Sequence, residues 1–246
     1  MKRLSAVLFS TIVLTAAPGW AQPPKPRVER VQFAKGASSA EIKAQIKGDA
    51  DVDYVVRAAA GQTLTVTLKA TNTRNYFNVL PPGSENVAMF IGDTGGDFKR
   101  VLPADGDYAI RVYLVRAAAR RNEASTYTLT VSITGAPLAP LPASKDAVVS
   151  GTPFHATATI ACVPPFASGP ASCEAGVVRR GRDGTATVEV RAPGSTLTRR
   201  ILFVKGSPVA SDATGELTFV RKGDLTVVSI APDERYEIVD AFIIGG

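Results

Sequence analysis

The stretch 108–133 reads YAIRVYLV-RAAARRNEAS-TYTLTVSI, and the reading of the fold starts from its two ends. Tyr108, Ile110, Val112 and Leu114 fall on one face of an extended segment. Tyr127, Leu129, Val131 and Ile133 fall on one face of the next. Period-two alternation of this kind marks half-buried strands, and the pair reads as an antiparallel hairpin. The connection is unusual. Hairpin loops mostly have about 2–5 residues, whereas this one takes in 116–125 and sets Arg116, Arg120 and Arg121 around three alanines. Alanine favours a helical turn, and one turn places Arg116 and Arg120 on the same side, four residues apart. A projecting cationic loop on a rigid sheet suits a functional element. A solvated charged tip has the same composition.

Outward from this stretch, the first half continues as short strands. Val31 and Phe33 alternate. Ala40, Ile42, Ala44 and Ile46 face one way while Glu41, Lys43, Gln45 and Lys47 face the other. Val52, Tyr54 and Val56 follow the Gly48-Asp49 turn, and Leu64, Val66, Leu68 and Ala70 follow Ala60-Gly61-Gln62. Apolar runs at 75–80 and 87–91 are stopped by Pro81-Pro82-Gly83 and Gly92, and Asp105-Gly106 turns the chain into 108–114. Short strands at this spacing with turn residues between them indicate a β-sandwich.

GAPLAPLP at 135–142 has no strand pattern and marks a boundary. The organisation expected is therefore a first β domain at 22–135, a Pro-rich linker at 136–144, and a second β domain at 145–246. The second half restarts with strands at 154–163, 173–180, 187–191, 197–204, 216–220, 225–230 and 236–244, with Arg182-Asp183-Gly184 as a tight turn. The fold class is all-β: two antiparallel β domains, the first a β-sandwich, the second small and disulfide-closed.

The first residues belong to targeting rather than to the fold. Lys2 and Arg3 precede an apolar run at 4–17, and Gly19-Trp20-Ala21 offers small residues where a signal peptidase reads, so 1–21 is a secretory signal peptide cut after Ala21. No later stretch is apolar enough to span a membrane, and the expectation is an exported, periplasmic protein without membrane insertion. In such a chain Cys162 and Cys173, the two cysteines, are expected to form a disulfide. Formal charge is +6. Two of those charges leave with Lys2 and Arg3, the remaining surplus lies in the first half, and acids and bases balance over 145–246.

Five phrases of the first half carry a family likeness: FAKGASSAEIKAQIKGDADVDYVV (33–56), AGQTLTVTL (60–68), NYFNVLPPGS (75–84), LPADGDYAIRVYLVRAAARR (102–121) and YTLTVSI (127–133). In order and without large gaps, they resemble the periplasmic inhibitors of g-type (goose-type) lysozyme, over about residues 31–133. The resemblance implies a compact antiparallel β-sandwich that blocks the lysozyme's substrate cleft. It also implies that a tyrosine on an early strand and arginines on the last hairpin loop face the enzyme's catalytic carboxylates. The matching positions are Tyr54 in VDYVV and Arg116 and Arg120 in VRAAARR, with Arg121 beside them. The residue types suit the task, because guanidinium groups present forked donors to carboxylates and a glycosidase cleft holds acids. The expected partner is a g-type lysozyme, with no catalysis by the inhibitor and no cofactor. The second domain is outside the likeness.

Other constellations weigh less. Asp49, Asp51 and Asp53 alternate on one strand, and oxygen clusters can hold calcium, but Tyr54 stands where the turn glycine of an EF-hand belongs. The pattern D-x-D-x-Y followed by AGQT also occurs in exported sugar-binding modules. An alternative reading is thus an envelope module for peptidoglycan or another glycan, with or without calcium. His155, the one histidine, has no Gly-x-Ser-x-Gly elbow to serve. The pairs Arg120-Arg121, Arg179-Arg180 and Arg199-Arg200 are interleaved with acids rather than gathered on one basic face, which argues against a nucleic-acid partner.

Overall fold

The structure is a computed structural model that describes residues 25–94 and 96–245. The signal peptide expected at 1–21 lies outside the described residues. Two hydrophobic cores organise the rest, one drawn from Ile46 to Val131 and the other from Ile160 to Ile243.

The first core lies between two sheets. One has the order β1-β3-β8-β5-β6, from β1 (Arg27–Arg30), β3 (Val52–Ala58), β5 (Asn75–Leu80), β6 (Phe90–Ile91) and β8 (Gly106–Leu114). The other has the order β2-β9-β4-β7, from β2 (Ser39–Lys47), β4 (Thr63–Ala70), β7 (Phe98–Val101) and β9 (Ala124–Thr134). All pairings are antiparallel except β1 with β3, which run parallel from Arg27↔Val52 to Arg30↔Val55.

The expected hairpin does not form. β8 pairs with β3 and β5, and β9 pairs with β2 and β4, so the two strands lie in opposite sheets. Their alternating residues nevertheless do what alternation demands. Tyr108, Ile110 and Val112 from one sheet and Tyr127, Leu129 and Val131 from the other are buried in the same core. Periodicity tells which face of a strand is covered, not which strand lies beside it. The length of 116–125 carries that information: packed sheets stand about 10 Å apart, too far for a tight turn. Two smaller expectations also shift. The first strand is Arg27–Arg30, with Val31 and Phe33 packed against the core after it, and the run at 87–91 pairs only at Phe90–Ile91.

The second core is wrapped by an eight-stranded sheet of order β14-β13-β12-β11-β10-β17-β16-β15. Its strands are β10 (Ala156–Val163), β11 (Ala171–Arg179), β12 (Ala186–Arg191), β13 (Thr198–Val204), β14 (Ser207–Ser211), β15 (Leu217–Lys222), β16 (Leu225–Ile230) and β17 (Glu234–Val239). The edges β14 and β15 approach each other, and Arg221 Nη1 donates to the Gly206 carbonyl at 3.0 Å. Residues 240–244, expected to extend the last strand, form the helix α2 (Asp240–Ile244), which buries Phe242 and Ile243. Cys162 and Cys173 are joined and buried, with Cα atoms 6.0 Å apart on the neighbouring strands β10 and β11. A closure of 11 residues contributes about 3 kcal/mol in the chain-entropy account.

The two halves meet at one end of the sandwich. Thr187 Oγ1 donates to the Pro103 carbonyl (2.7 Å), Arg180 Nη1 to Asp105 Oδ2 (2.9 Å), Arg200 Nη1 to the Pro82 carbonyl (3.0 Å) and Arg100 Nη1 to the Ala213 carbonyl (2.7 Å). The Pro-rich segment is fastened on both sides, by Leu138 N–H to Ala60 and Leu141 N–H to Arg179. His155 holds the same seam: Nε2 lies 2.9 Å from the Leu141 carbonyl, and Nδ1 accepts the Arg179 N–H at 3.0 Å. With both ring nitrogens occupied by backbone, it is a structural residue.

Candidate cationic pole

β8 begins at this seam. Gly106 lies against Pro82, where a Cβ would come within 2.5 Å of the proline ring. The nine residues of β8 make eight steps of roughly 3.4 Å and carry the strand about 27 Å to the opposite pole. There the crossing between the sheets folds as the short helix α1 (Arg116–Arg120). Its inner side is apolar: Ala118 and Ala119 are buried and close the end of the sandwich core. Because Ala118 and Ala119 must face inward, the helical period turns Arg116 and Arg120 outward together, and both are exposed.

The backbone on either side is tied down. Val115 N–H donates to the Arg74 carbonyl (3.0 Å), and Gly48 N–H donates to the Glu123 carbonyl (2.9 Å). The helix leaves through Asn122 at a positive φ of 53°, a conformation asparagine tolerates better than most residues. Asn72 Nδ2 donates to Glu123 Oε2 at 2.9 Å, and Asn75 Nδ2 to Ser125 Oγ at 2.9 Å.

The residues singled out from sequence separate into three situations. Arg116 and Arg120 form no ion pair or side-chain hydrogen bond among the described residues, and they stand at the pole away from the second half. Arg121 is engaged: its Nη2 lies 2.6 Å from Glu123 Oε1, with Arg74 at 3.7 Å from the same oxygen. That carboxyl is held below its ordinary range by Asn72 first and then by Arg121. Tyr54 is not at the surface. It is 1% exposed, and its hydroxyl shares a 2.8 Å hydrogen bond with that of Tyr127, inside the sandwich. As folded, Tyr54 presents no atom to a partner. Burial, and then the Tyr54 hydroxyl, push the Tyr127 phenol above its usual range.

Arg74, and Lys47 at the end of β2, also join the pole, through the chain turns that flank α1, a placement the sequence does not reveal. Residues 71–74 turn the chain from β4 into β5, and the Arg74 carbonyl there receives the Val115 N–H. The aspartate strand is not arranged as a cation site. Asp53 gives both carboxylate oxygens to Arg111, at 2.7 and 2.8 Å. Among the described residues no group of three His, Cys, Asp or Glu is placed to hold a metal. The other paired arginines turn inward to partners. Arg179 meets Asp146 and the Phe242 carbonyl, Arg180 meets Asp105, and Arg199 and Arg200 share Asp212.

No family model matches the chain. Among curated proteins it is similar to an inhibitor of g-type lysozyme from Escherichia coli strain K12, with 30% identity over 106 residues, 42% of this chain and 78% of the relative. Among solved structures it is similar to a periplasmic lysozyme inhibitor of g-type lysozyme from Aeromonas hydrophila. That likeness has 41% identity and a TM-score of 0.43, and covers 45% of this chain and 98% of the other. The corresponding inhibitor from Salmonella Typhimurium is 28% identical with a TM-score of 0.37, covering 45% of this chain and 100% of that one.

Proposed function

Because this chain belongs to the family of inhibitors of g-type lysozyme, we propose that it is itself exported to the periplasm and there blocks the substrate cleft of a g-type lysozyme. Its tool is the cationic pole. Arg116 and Arg120 enter the cleft and pair with the acidic groups that would otherwise act on the glycan. A glycosidase depends on two carboxyl groups flanking the scissile bond. Guanidinium groups seated between them neutralise their charge and exclude sugar, and no chemistry by the inhibitor is required.

One observation carries this reading: two exposed arginines, without acidic partners among the described residues, on a helix whose backbone is fastened to both sheets. Rigid presentation matters because binding loses free energy to every side chain and loop that must be ordered. The pole is also free of the second half, which attaches about 27 Å away along β8. Among the described residues no helix is long and apolar enough to cross a membrane.

The test is a muramidase assay with a g-type enzyme. Wild-type protein at micromolar concentration is expected to slow lysis, and Arg116→Ala with Arg120→Ala is expected to abolish the effect at that concentration. Truncating one partner of a desolvated charge pair costs about 2–5 kcal/mol, so each single variant should weaken inhibition by at least tenfold. Because both side chains are exposed, the melting temperature should not move. A wild-type protein without effect on lysis, or a double variant as potent as wild type, rules the reading out.

A further inference from the structure

The outer face of the sheet β1-β3-β8-β5-β6 carries an array that the cleft-blocking arginines do not involve. Alternation along β8 sends Tyr108, Ile110 and Val112 into the core and Arg111 and Tyr113 outward. The strand register sets Asp53, Arg111 and Asn78 in one row across the sheet, and Tyr113 beside Tyr76 in the next. Asp51, one residue before Val52↔Val112, continues the second row. The Asp53–Arg111 fork fixes the centre. The Tyr113 hydroxyl donates to Asn78 Oδ1 at 3.2 Å. Burial, and then Asp93 and Asp51, push the Tyr113 phenol up, so it stays a neutral donor. The Tyr76 hydroxyl and Arg111 Nη1 have no partner among the described residues.

This array is continuous with the cationic pole. Tyr113 lies three residues before Arg116. Tyr76 lies two residues after Arg74, whose carbonyl receives Val115. We infer that Tyr76 and Tyr113 are anchor residues of the same lysozyme contact, which runs from α1 onto this sheet face. The inference rests on the inhibitor reading above and extends it from the cleft to the enzyme surface beside the cleft.

Three arguments point this way. A stable protein complex buries about 800 Å² on each partner, and one short helix with two arginines offers only part of that. Tyrosine and arginine in partly desolvated settings are the residue types on which binding energy concentrates, and here they are held in register by a sheet rather than by a mobile loop. The charge also changes sign along the surface. The pole gathers Lys47, Arg74, Arg116 and Arg120, whereas Asp51 and Asp93 lie beside the tyrosines and Asp53 is neutralised by Arg111. Acidic groups beside a cationic pole give the contact two signs, which fixes the orientation in which a partner can seat.

The experiment measures inhibition constants of the full-length protein against a g-type lysozyme for wild type, Tyr76→Ala, Tyr113→Ala, Tyr76→Lys and Arg116→Ala/Arg120→Ala. Lys43→Ala, on the opposite sheet face, is the control. Tyr76→Ala and Tyr113→Ala are each expected to raise the inhibition constant by about tenfold or more, with Lys43→Ala unchanged. Tyr76→Lys tests the site without depending on Tyr113, whose replacement perturbs the sheet more. Inhibition constants for both Tyr76 variants within twofold of wild type, while the arginine double variant has lost inhibition, overturn this inference and leave the cleft mechanism standing. A wild-type protein that does not inhibit overturns both.

Discussion

A guanidinium without an acidic neighbour in its own protein breaks no ion pair when it meets a carboxylate elsewhere; it gives up hydration and side-chain freedom. Among the described residues Arg116 and Arg120 are in that state, and Arg121, clasped by Glu123, is not. The difference of a few ångströms divides three arginines of one loop into two that can be delivered and one that helps hold the loop. Tyr54 belongs with the second kind. Its hydroxyl and that of Tyr127 satisfy each other where water does not reach. Tyr54→Phe therefore leaves the Tyr127 hydroxyl without its partner. The expected loss is about 1–3 kcal/mol of folding stability, read as a lower urea midpoint. The inhibition constant should stay within about threefold of wild type. Removing both hydroxyls, in Tyr54→Phe/Tyr127→Phe, should recover part of the loss, because no buried polar atom is then left unpaired.

Among the elements, α1 is decisive for the proposed contact, because it is a crossing between sheets that carries two exposed arginines. Its position depends on Gly48, which has a φ of 59° and passes so close to Asn122 that a Cβ would lie 2.9 Å from Oδ1. Gly48→Ala is expected to cost about 1–2 kcal/mol and to displace the Asn122 end of α1. Inhibition should weaken while the disulfide-bearing half keeps its own unfolding transition, as two-probe thermal denaturation would show. Much of this element was legible beforehand. The alanines called for a helical turn, and their spacing put Arg116 and Arg120 together. The pairing of the flanking strands was not legible, because Tyr108–Leu114 and Tyr127–Ile133 look the same whether they adjoin or face each other. Tyr54 misled for a related reason: a residue matched by motif keeps its place on the strand, but burial is set by the sheet opposite. In the second half, Arg179, Arg180, Arg199 and Arg200 read as surface charge by type, and only the strand order brings Asp105, Asp146, Asp212 and Glu234 to them.

At the scale of the whole molecule, those inward arginines are the main polar investment. Arg199 is forked onto Glu234 at 2.7 Å twice over and reaches Asp212 at 3.0 Å, while Tyr236 donates to Glu234 at 2.8 Å. Arg200 links the same Asp212 to Glu189 and to the carbonyl of Pro82 in the first sandwich. Removing one member leaves buried charge uncompensated. Arg199→Ala is expected to cost about 3–5 kcal/mol, measured by chemical denaturation, and to loosen the second half without altering the inhibition constant at temperatures where the protein stays folded.

The polar arrangement of the two halves has a practical side. The second half is fastened where β8 begins, and α1 stands where β8 ends. A chain coupled to a resin through its second half would thus leave Arg116 and Arg120 facing the solution, as bait already turned toward its catch.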